Sequence, residues 1–97
     1  GESRDLYAPL AFHLLASGKF RECIPYFQSA IRLQPNGNDY YNLACAHALL
    51  SETEPALTAL EQAVKHGYGS KSQFDADPDL TSVRHEERYK NLFSHTN

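Results

Sequence analysis

Two cysteines are the side chains of this sequence with the strongest potential for nucleophilic or metal chemistry. Cys23 and Cys45 are its only thiols, and the apolar residues around each recur at helical spacing, which places both thiols on apolar helix faces. A thiol in such a position acts as a small hydrophobic side chain, and catalysis would need a paired base that the sequence does not identify. A disulfide would require an oxidising compartment and a Cα separation below about 7 Å. We therefore expect two free, buried thiols, with a disulfide as the alternative.

An alternating acidic run is the next candidate for chemistry. Asp75, Asp77 and Asp79 have the spacing of the first ligands of a calcium-binding loop. The sixth place of that loop, which requires Gly, is Leu80, and Pro78 interrupts the pattern. Asp77 followed by Pro78 fits a helix start better, because the carboxylate caps the free amides and Pro suits the first helical position. The run predicts a capped helix start in preference to a calcium site.

The histidines do not form a metal-binding pattern. No two of them stand four residues apart, the spacing at which one helix presents two ligands to one metal. They are His13, His47, His66, His85 and His95. The sequence also lacks a glycine-rich phosphate loop, a nucleophile elbow and a pair of catalytic carboxylates. We expect no metal, no cofactor and no enzymatic activity.

Length and charge limit the class of protein further. A chain of 97 residues suits one small domain. The net charge is −3, and the basic residues are scattered among acidic ones, so a nucleic-acid partner is not expected. No apolar run approaches the roughly 20 residues of a membrane span, so the chain is expected to be soluble. The sequence leaves localisation open and favours the cytoplasm.

The elements that carry these residues follow from an internal repeat. A shift of 33 positions superimposes the apolar residues of one segment on those of the next. The matched pairs are Tyr7 and Tyr40, Leu10 and Leu43, Ala11 and Ala44, Ile24 and Leu57, Phe27 and Leu60, Ala30 and Ala63, and Ile31 and Val64. Because apolar positions within each copy lie three and four apart, each copy predicts two amphipathic helices. The connections at residues 17–19 and 51–55 are short, so each pair of helices should be antiparallel.

These residues resemble the tetratricopeptide repeat. Its pattern contains an aromatic, a Leu, a small residue, a Gly before the turn, an Ala, an aromatic, an Ala and a closing Pro. The matching positions are Tyr7, Leu10, Ala11, Gly18, Cys23, Phe27, Ala30 and Pro35 in the first copy, and Tyr40, Leu43, Ala44, Ser51, Ala56, Leu60, Ala63 and Tyr68 in the second. Cys23 replaces an Ala, Ser51 replaces the turn Gly, and Tyr68 replaces the Pro. These changes affect local turns more than core positions.

The resemblance implies an all-α fold in which antiparallel helical hairpins stack as a short right-handed solenoid. Residues 4–68 would form two hairpins, at about 4–36 and 37–68, and residues 69–97 would form a C-terminal capping segment with short helices. In that segment we expect a short helical turn at residues 70–74, a helix start at Asp77 and a final amphipathic helix near residues 86–93. Such a segment covers the apolar end of a solenoid.

The resemblance also implies a concave groove lined by the first helix of each hairpin. Carried over by position, the partner-binding residues would be Phe12, Leu15, Tyr41, Asn42, Cys45 and Leu49. Tyr41 is expected to be a contact side chain whose replacement by Ala spares the fold. Members that bind acidic chaperone tails use a clamp of Lys, Asn and Arg, and Ala8 and Phe12 stand where its Lys and one Asn would be. Binding of such tails is not expected.

The sequence therefore favours a non-enzymatic scaffold or adaptor module that binds a peptide or helix of a partner protein. Four alternatives remain open. The chain could be a regulatory or structural segment that docks on the catalytic domain of a larger enzyme. It could associate with a second copy, or the groove could be filled by a neighbouring repeat of a parent protein or by the chain's own last helix, near Tyr89, Leu92 and Phe93.

Overall fold

The computed structural model of the chain describes residues 2–94, and the side chains of residues 6–94. The end of the predicted capping segment, residues 95–97 with His95, lies outside the described residues, as do the side chains of residues 4 and 5 at the start of the first predicted hairpin. Within residues 2–94 the fold is all helical. Its elements are α1 (Glu2–Ala16), α2 (Phe20–Leu33), α3 (Gly37–Leu49), α4 (Thr53–Lys65), α5 (Lys71–Ala76), a 3-10 helix (Pro78–Leu80) and α6 (Glu87–Lys90).

The turns between the long helices lie where the sequence predicts them. Gly18 ends α1 in the left-handed region at φ 82°, and the Lys19 amide donates to the Leu14 carbonyl at 2.9 Å. Ser51 occupies the equivalent place after α3 at φ 59°, a conformation that favours Gly. The Asn36 side chain accepts from the Asp39 amide at 3.0 Å and caps α3.

The core lies along the line where successive helices contact one another. α1 packs on α2, α2 on α3 and α3 on α4, and α1 also contacts α3. The small residues at the predicted crossings are completely buried, together with the large residues beside them. They are Ala11, Ala30, Ala44 and Ala63, with Phe27 and Leu60. Small residues let the helix backbones approach, and the aromatic and aliphatic side chains fill the remaining space.

Gly37, the first residue of α3, shows how closely α3 and the end of α4 approach. A Cβ atom at this position would lie 2.4 Å from the Tyr68 Cβ and 3.1 Å from the Ala63 carbonyl oxygen. Only a residue without a side chain fits there.

The segment after α4 folds back onto the long helices. The 3-10 helix packs on α3 and α5, and α6 packs on α4. Arg88 of α6 forms an ion pair with Glu61 at 2.7 Å and another with Glu54 at 2.6 Å, which fixes α6 against α4. The final helix is shorter than the sequence predicts, because residues 91–94 form turns while Leu92 stays buried.

Among residues 2–94, no helix has both the length and the apolar character needed to span a membrane.

Candidate functional site

A groove of about 480 Å³ opens between α1, α3 and the segment after α5. It contains all six residues that the sequence predicts for partner binding: Phe12, Leu15, Tyr41, Asn42, Cys45 and Leu49. The structure adds Asp77 and Asp79, which the sequence assigns only to a helix start, and Ala16, Gly18 and Phe20 at the end near the first turn. One concave surface therefore combines aliphatic, aromatic, amide and carboxylate groups.

Tyr41 and Cys45 form the floor of the groove. Tyr41 is only 5% exposed and Cys45 only 2% exposed. The Tyr41 hydroxyl donates to the Asp77 Oδ2 atom, and its ring lies 5.2 Å from the Tyr68 ring. Tyr41 therefore belongs to the core as well as to the lining of the groove, so its burial argues against the expectation that its replacement by Ala spares the fold.

Phe12 and Leu15 of α1 form one wall of the groove. Phe12 is 54% exposed, although it is among the largest apolar side chains of the chain, and Leu15 is half-buried. Exposed aromatic side chains beside a concavity supply much of the binding energy when a partner covers them. Phe12 is therefore the side chain of the groove that has most to gain from contact with a ligand.

Asp77 and Asp79 form the wall of the groove that we call the acidic wall, and an aromatic cluster holds it in place. The Phe74 ring is completely buried and lies 4.9 Å from the Tyr41 ring and 5.2 Å from the Phe93 ring. Gly69 permits this position, because a Cβ atom there would lie 2.5 Å from the Phe74 ring. Burial of Phe74 brings the following residues, including Asp77, against α3.

Asp77 has its side-chain oxygens engaged by the protein. Besides the Tyr41 hydroxyl at Oδ2, the Asp79 amide donates to Oδ1 at 2.9 Å, and the Cys45 thiol lies 3.9 Å from Oδ2. The Arg84 guanidinium donates to the Asp77 carbonyl. Asp77 is thus both the cap of the 3-10 helix and the link between that helix and α3, which confirms the predicted capping role.

Asp79 is in a different environment. Within residues 6–94, no hydrogen bond or ion pair reaches its carboxylate. Its pKa is raised above the ordinary value, first by burial and then by the charge of Asp77. Burial, followed by the charges of Asp77 and Asp79, likewise raises the pKa of the Cys45 thiol, so the thiol stays protonated at neutral pH.

The Cys45 Sγ atom and one oxygen each of Asp77 and Asp79 lie within 4.8 Å of one another. That is ligand-like spacing, but the thiol is protonated and the Asp77 oxygens already accept hydrogen bonds. A metal would have to displace those bonds and deprotonate the thiol. We assign no metal to this group.

Both cysteines are free and buried, as the sequence predicts. Burial raises the pKa of the Cys23 thiol to about 11, and the thiol donates to the Phe20 carbonyl at 3.0 Å. Neither thiol has the depressed pKa of a reactive cysteine.

A second concavity of about 630 Å³ continues the groove toward the start of α3, and Phe12 and Asn42 border both. We call it the polar extension; its other lining residues are Ala8, Pro9, Asn38, Asp39 and Tyr68. Within the described part of the chain, neither the groove nor the polar extension is lined by a Lys, Arg or His side chain. The combined surface is acidic and amide-rich around an apolar centre.

Fold and groove together define an all-helical domain with an open, concave surface. Among known proteins, the chain is similar to a chloroplastic protein of Arabidopsis thaliana, with 31% identity over 93 residues. The match includes 92% of this chain and 27% of that protein, so the chain spans about a quarter of its relative's length. No protein-family profile matches the chain. No solved structure matches it either.

Proposed function

We propose that this chain is a non-enzymatic, tetratricopeptide-like interaction module that binds a segment of a partner protein in the groove. The observation that carries the proposal is the convergence on one open concavity of the six residues from two helices that the resemblance to the tetratricopeptide repeat implies. The repeat of 33 positions supports the assignment to hairpin repeats that stack as a solenoid.

The size and composition of the surface suit a peptide. Pockets of about 300–1,000 Å³ with an apolar lining and a few placed polar groups are typical of small-molecule sites, and a peptide needs a longer surface. The groove, at about 480 Å³, continues into the polar extension, so a ligand can lie along both. Phe12 offers an apolar contact, and Asn42 offers an amide that can bond to a peptide backbone.

In the chloroplastic relative the matching region makes up 27% of the protein, so there it is one part of a longer chain. In that setting the groove would receive either a segment of another protein or a neighbouring part of the same chain. What the relative itself binds is not carried over.

The test is selection of binders from a displayed library of random peptides on the 97-residue chain. We expect selected peptides to bind the chain and to lose binding to the Phe12→Glu variant, since a carboxylate would replace the exposed aromatic contact. Leu6→Glu is the matched control, because Leu6 is also an exposed apolar residue of α1 but lies outside the groove. Far-UV circular dichroism verifies that both variants fold.

Failure to select any peptide would contradict the proposal. Equal loss of binding in both variants would place the contact elsewhere on α1. If sedimentation showed a dimer that Phe12→Glu dissociates and Leu6→Glu does not, the groove would be occupied by a second copy of the chain.

A further inference from the structure

The acidic wall of the groove contains a carboxylate, that of Asp79, that has no role in stabilising the fold. Asp77 is required to cap the 3-10 helix and to receive the Tyr41 hydroxyl. Asp79 has no such task, since no described hydrogen bond or ion pair reaches its carboxylate. The groove thus contains one carboxylate with a structural role and, within 4.8 Å, a second without one.

This arrangement is electrostatically unfavourable in the free protein. Two carboxylates at such a distance repel each other, and partial burial of Asp79 weakens the screening by water. None of the residues that line the groove supplies a compensating cation. Elsewhere in the described chain, partly exposed carboxylates do find cations: Arg21 pairs with Glu52 at 2.8 Å, and Lys71 pairs with Asp75 at 2.7 Å.

From these contacts we infer that the occupant of the groove is a peptide segment that presents a Lys or Arg side chain to Asp79 and an apolar side chain to Phe12. This inference rests on the proposed function and names the ligand chemistry of the same groove. Charge complementarity selects the occupant, because a cation at Asp79 relieves the repulsion between the two carboxylates as it forms its own ion pair.

The geometry also orders the two contacts along the groove. Phe12 and Leu15 lie on the α1 wall, and Asp79 lies on the opposite wall, with the Cys45 thiol on the floor between them. A bound segment therefore directs its basic residue toward the wall with Asp79 and its apolar residue toward the α1 wall. Toward the polar extension it meets the Asn42 amide. An acidic peptide would meet repulsion from the carboxylates of Asp77 and Asp79.

The experiment is the same peptide selection, in which the amino-acid composition of the selected peptides is now determined. On the original chain we expect the selected peptides to be enriched in Lys or Arg near a large apolar residue. On Asp79→Asn we expect the enrichment in cations to disappear while the apolar preference stays. A selected peptide should bind Asp79→Asn about threefold to tenfold more weakly than the original chain, and should show a smaller dependence on salt concentration.

Glu22→Gln is the control, because it removes one charge from the exposed surface of α2 and does not touch the groove. It separates the local effect of Asp79 from the change in net charge. Peptides that bind the original chain without enrichment in cations would overturn this inference and leave the proposed function intact. Equal weakening by Glu22→Gln and Asp79→Asn would also overturn it. A library that yields no binder would contradict the proposed function itself.

Discussion

At the residue scale, Asp79 is a group whose ionisation opposes folding. Its pKa in the folded chain is raised by burial and by Asp77, so the folded state holds the proton more tightly than the unfolded state does. Above both pKa values the ionised carboxylate destabilises the fold, and below the unfolded value, near 3.8, this cost vanishes.

Asp79→Asn is therefore expected to raise the melting temperature at neutral pH. The gain should shrink as the pH falls toward the unfolded pKa of Asp79, because the original chain then becomes neutral at this position as well. Thermal unfolding of both chains at several pH values measures this difference. A variant less stable than the original at neutral pH would show that the Asp79 carboxylate supports the fold after all. Higher stability with weaker peptide binding is the combination expected of a side chain retained for binding.

Ser51 adopts a left-handed backbone conformation that is unfavourable for a residue with a side chain. It adopts φ 59° at the turn between α3 and α4, where Gly18 in the first turn adopts φ 82°. Ser51→Gly should stabilise the chain by about 0.5–1 kcal/mol. The substitution removes the penalty of the left-handed conformation, and the greater conformational entropy of Gly in the unfolded chain offsets part of this gain. Gly18→Ala should destabilise it by about 1 kcal/mol, since the added Cβ meets no atom within 4 Å and only the backbone conformation is penalised.

Urea unfolding of the two variants checks both signs. A loss of stability in Ser51→Gly would mean that the serine side chain makes a contribution larger than the backbone penalty.

At the scale of the elements, the turn chemistry and the helical spacing predict most of the architecture. The four long helices, the Gly18 turn, the helix that begins after Ser70 and the capping role of Asp77 all depend on contacts between residues close in sequence. Such contacts leave a local pattern that can be read directly. The stacking of the hairpins as a solenoid stays a prediction.

The acidic wall of the groove could not be predicted in this way. The bond from Tyr41 to Asp77 joins residues 36 positions apart, and no spacing rule connects them. The sequence instead presents the last helix as the element that could fill the groove. In the structure α6 packs on α4, and it is the earlier residues Phe74 and Asp77 that contact Tyr41. The sequence pattern of alternating Asp residues with a Pro does not indicate whether this segment packs on α3.

The contact between α3 and the end of α4 gives a prediction for an element boundary. Gly37→Ala would place its Cβ 2.4 Å from the Cβ of Tyr68 in the turn after α4, so α3 and this turn must separate. Overpacking of this kind costs about 1–3 kcal/mol, which exceeds the modest gain in helix propensity from Gly to Ala. Urea unfolding measures the loss. Gly67→Ala is the control, since a Cβ there meets nothing within 4 Å and only its φ of 79° is penalised. An unchanged stability in Gly37→Ala would contradict the close approach.

At the scale of the whole molecule, the segment after α4 acts as a lid on the core as well as a wall of the groove. The 3-10 helix covers α3, where Cys45 is only 2% exposed. Arg88 ties α6 to α4, and its hydrogen bond lowers the pKa of Glu61. The Ser82 hydroxyl donates to the Ala48 carbonyl at 2.8 Å, which adds a link to α3. The acidic wall of the groove is therefore formed only when this segment is docked.

Phe74→Ala tests whether the segment docks as a separate unit. Removal of a fully buried Phe costs about 3–5 kcal/mol, a large part of the stability of a small domain. If the loss falls on the docking of residues 70–94, Cys45 should react with an uncharged thiol reagent about a hundredfold to a thousandfold faster, since each 1.4 kcal/mol is a factor of about ten. Cys23→Ala in both chains makes Cys45 the only thiol.

The thiol of Cys23, buried on α2, provides the matched reporter when Cys45→Ala is introduced in its place. Release of the segment alone predicts that Phe74→Ala accelerates labelling of Cys45 much more than that of Cys23. Equal acceleration would mean that the chain opens as a single cooperative unit. The acidic wall would then be inseparable from the four long helices, and weaker peptide binding in Phe74→Ala would report loss of the whole fold instead of loss of the wall.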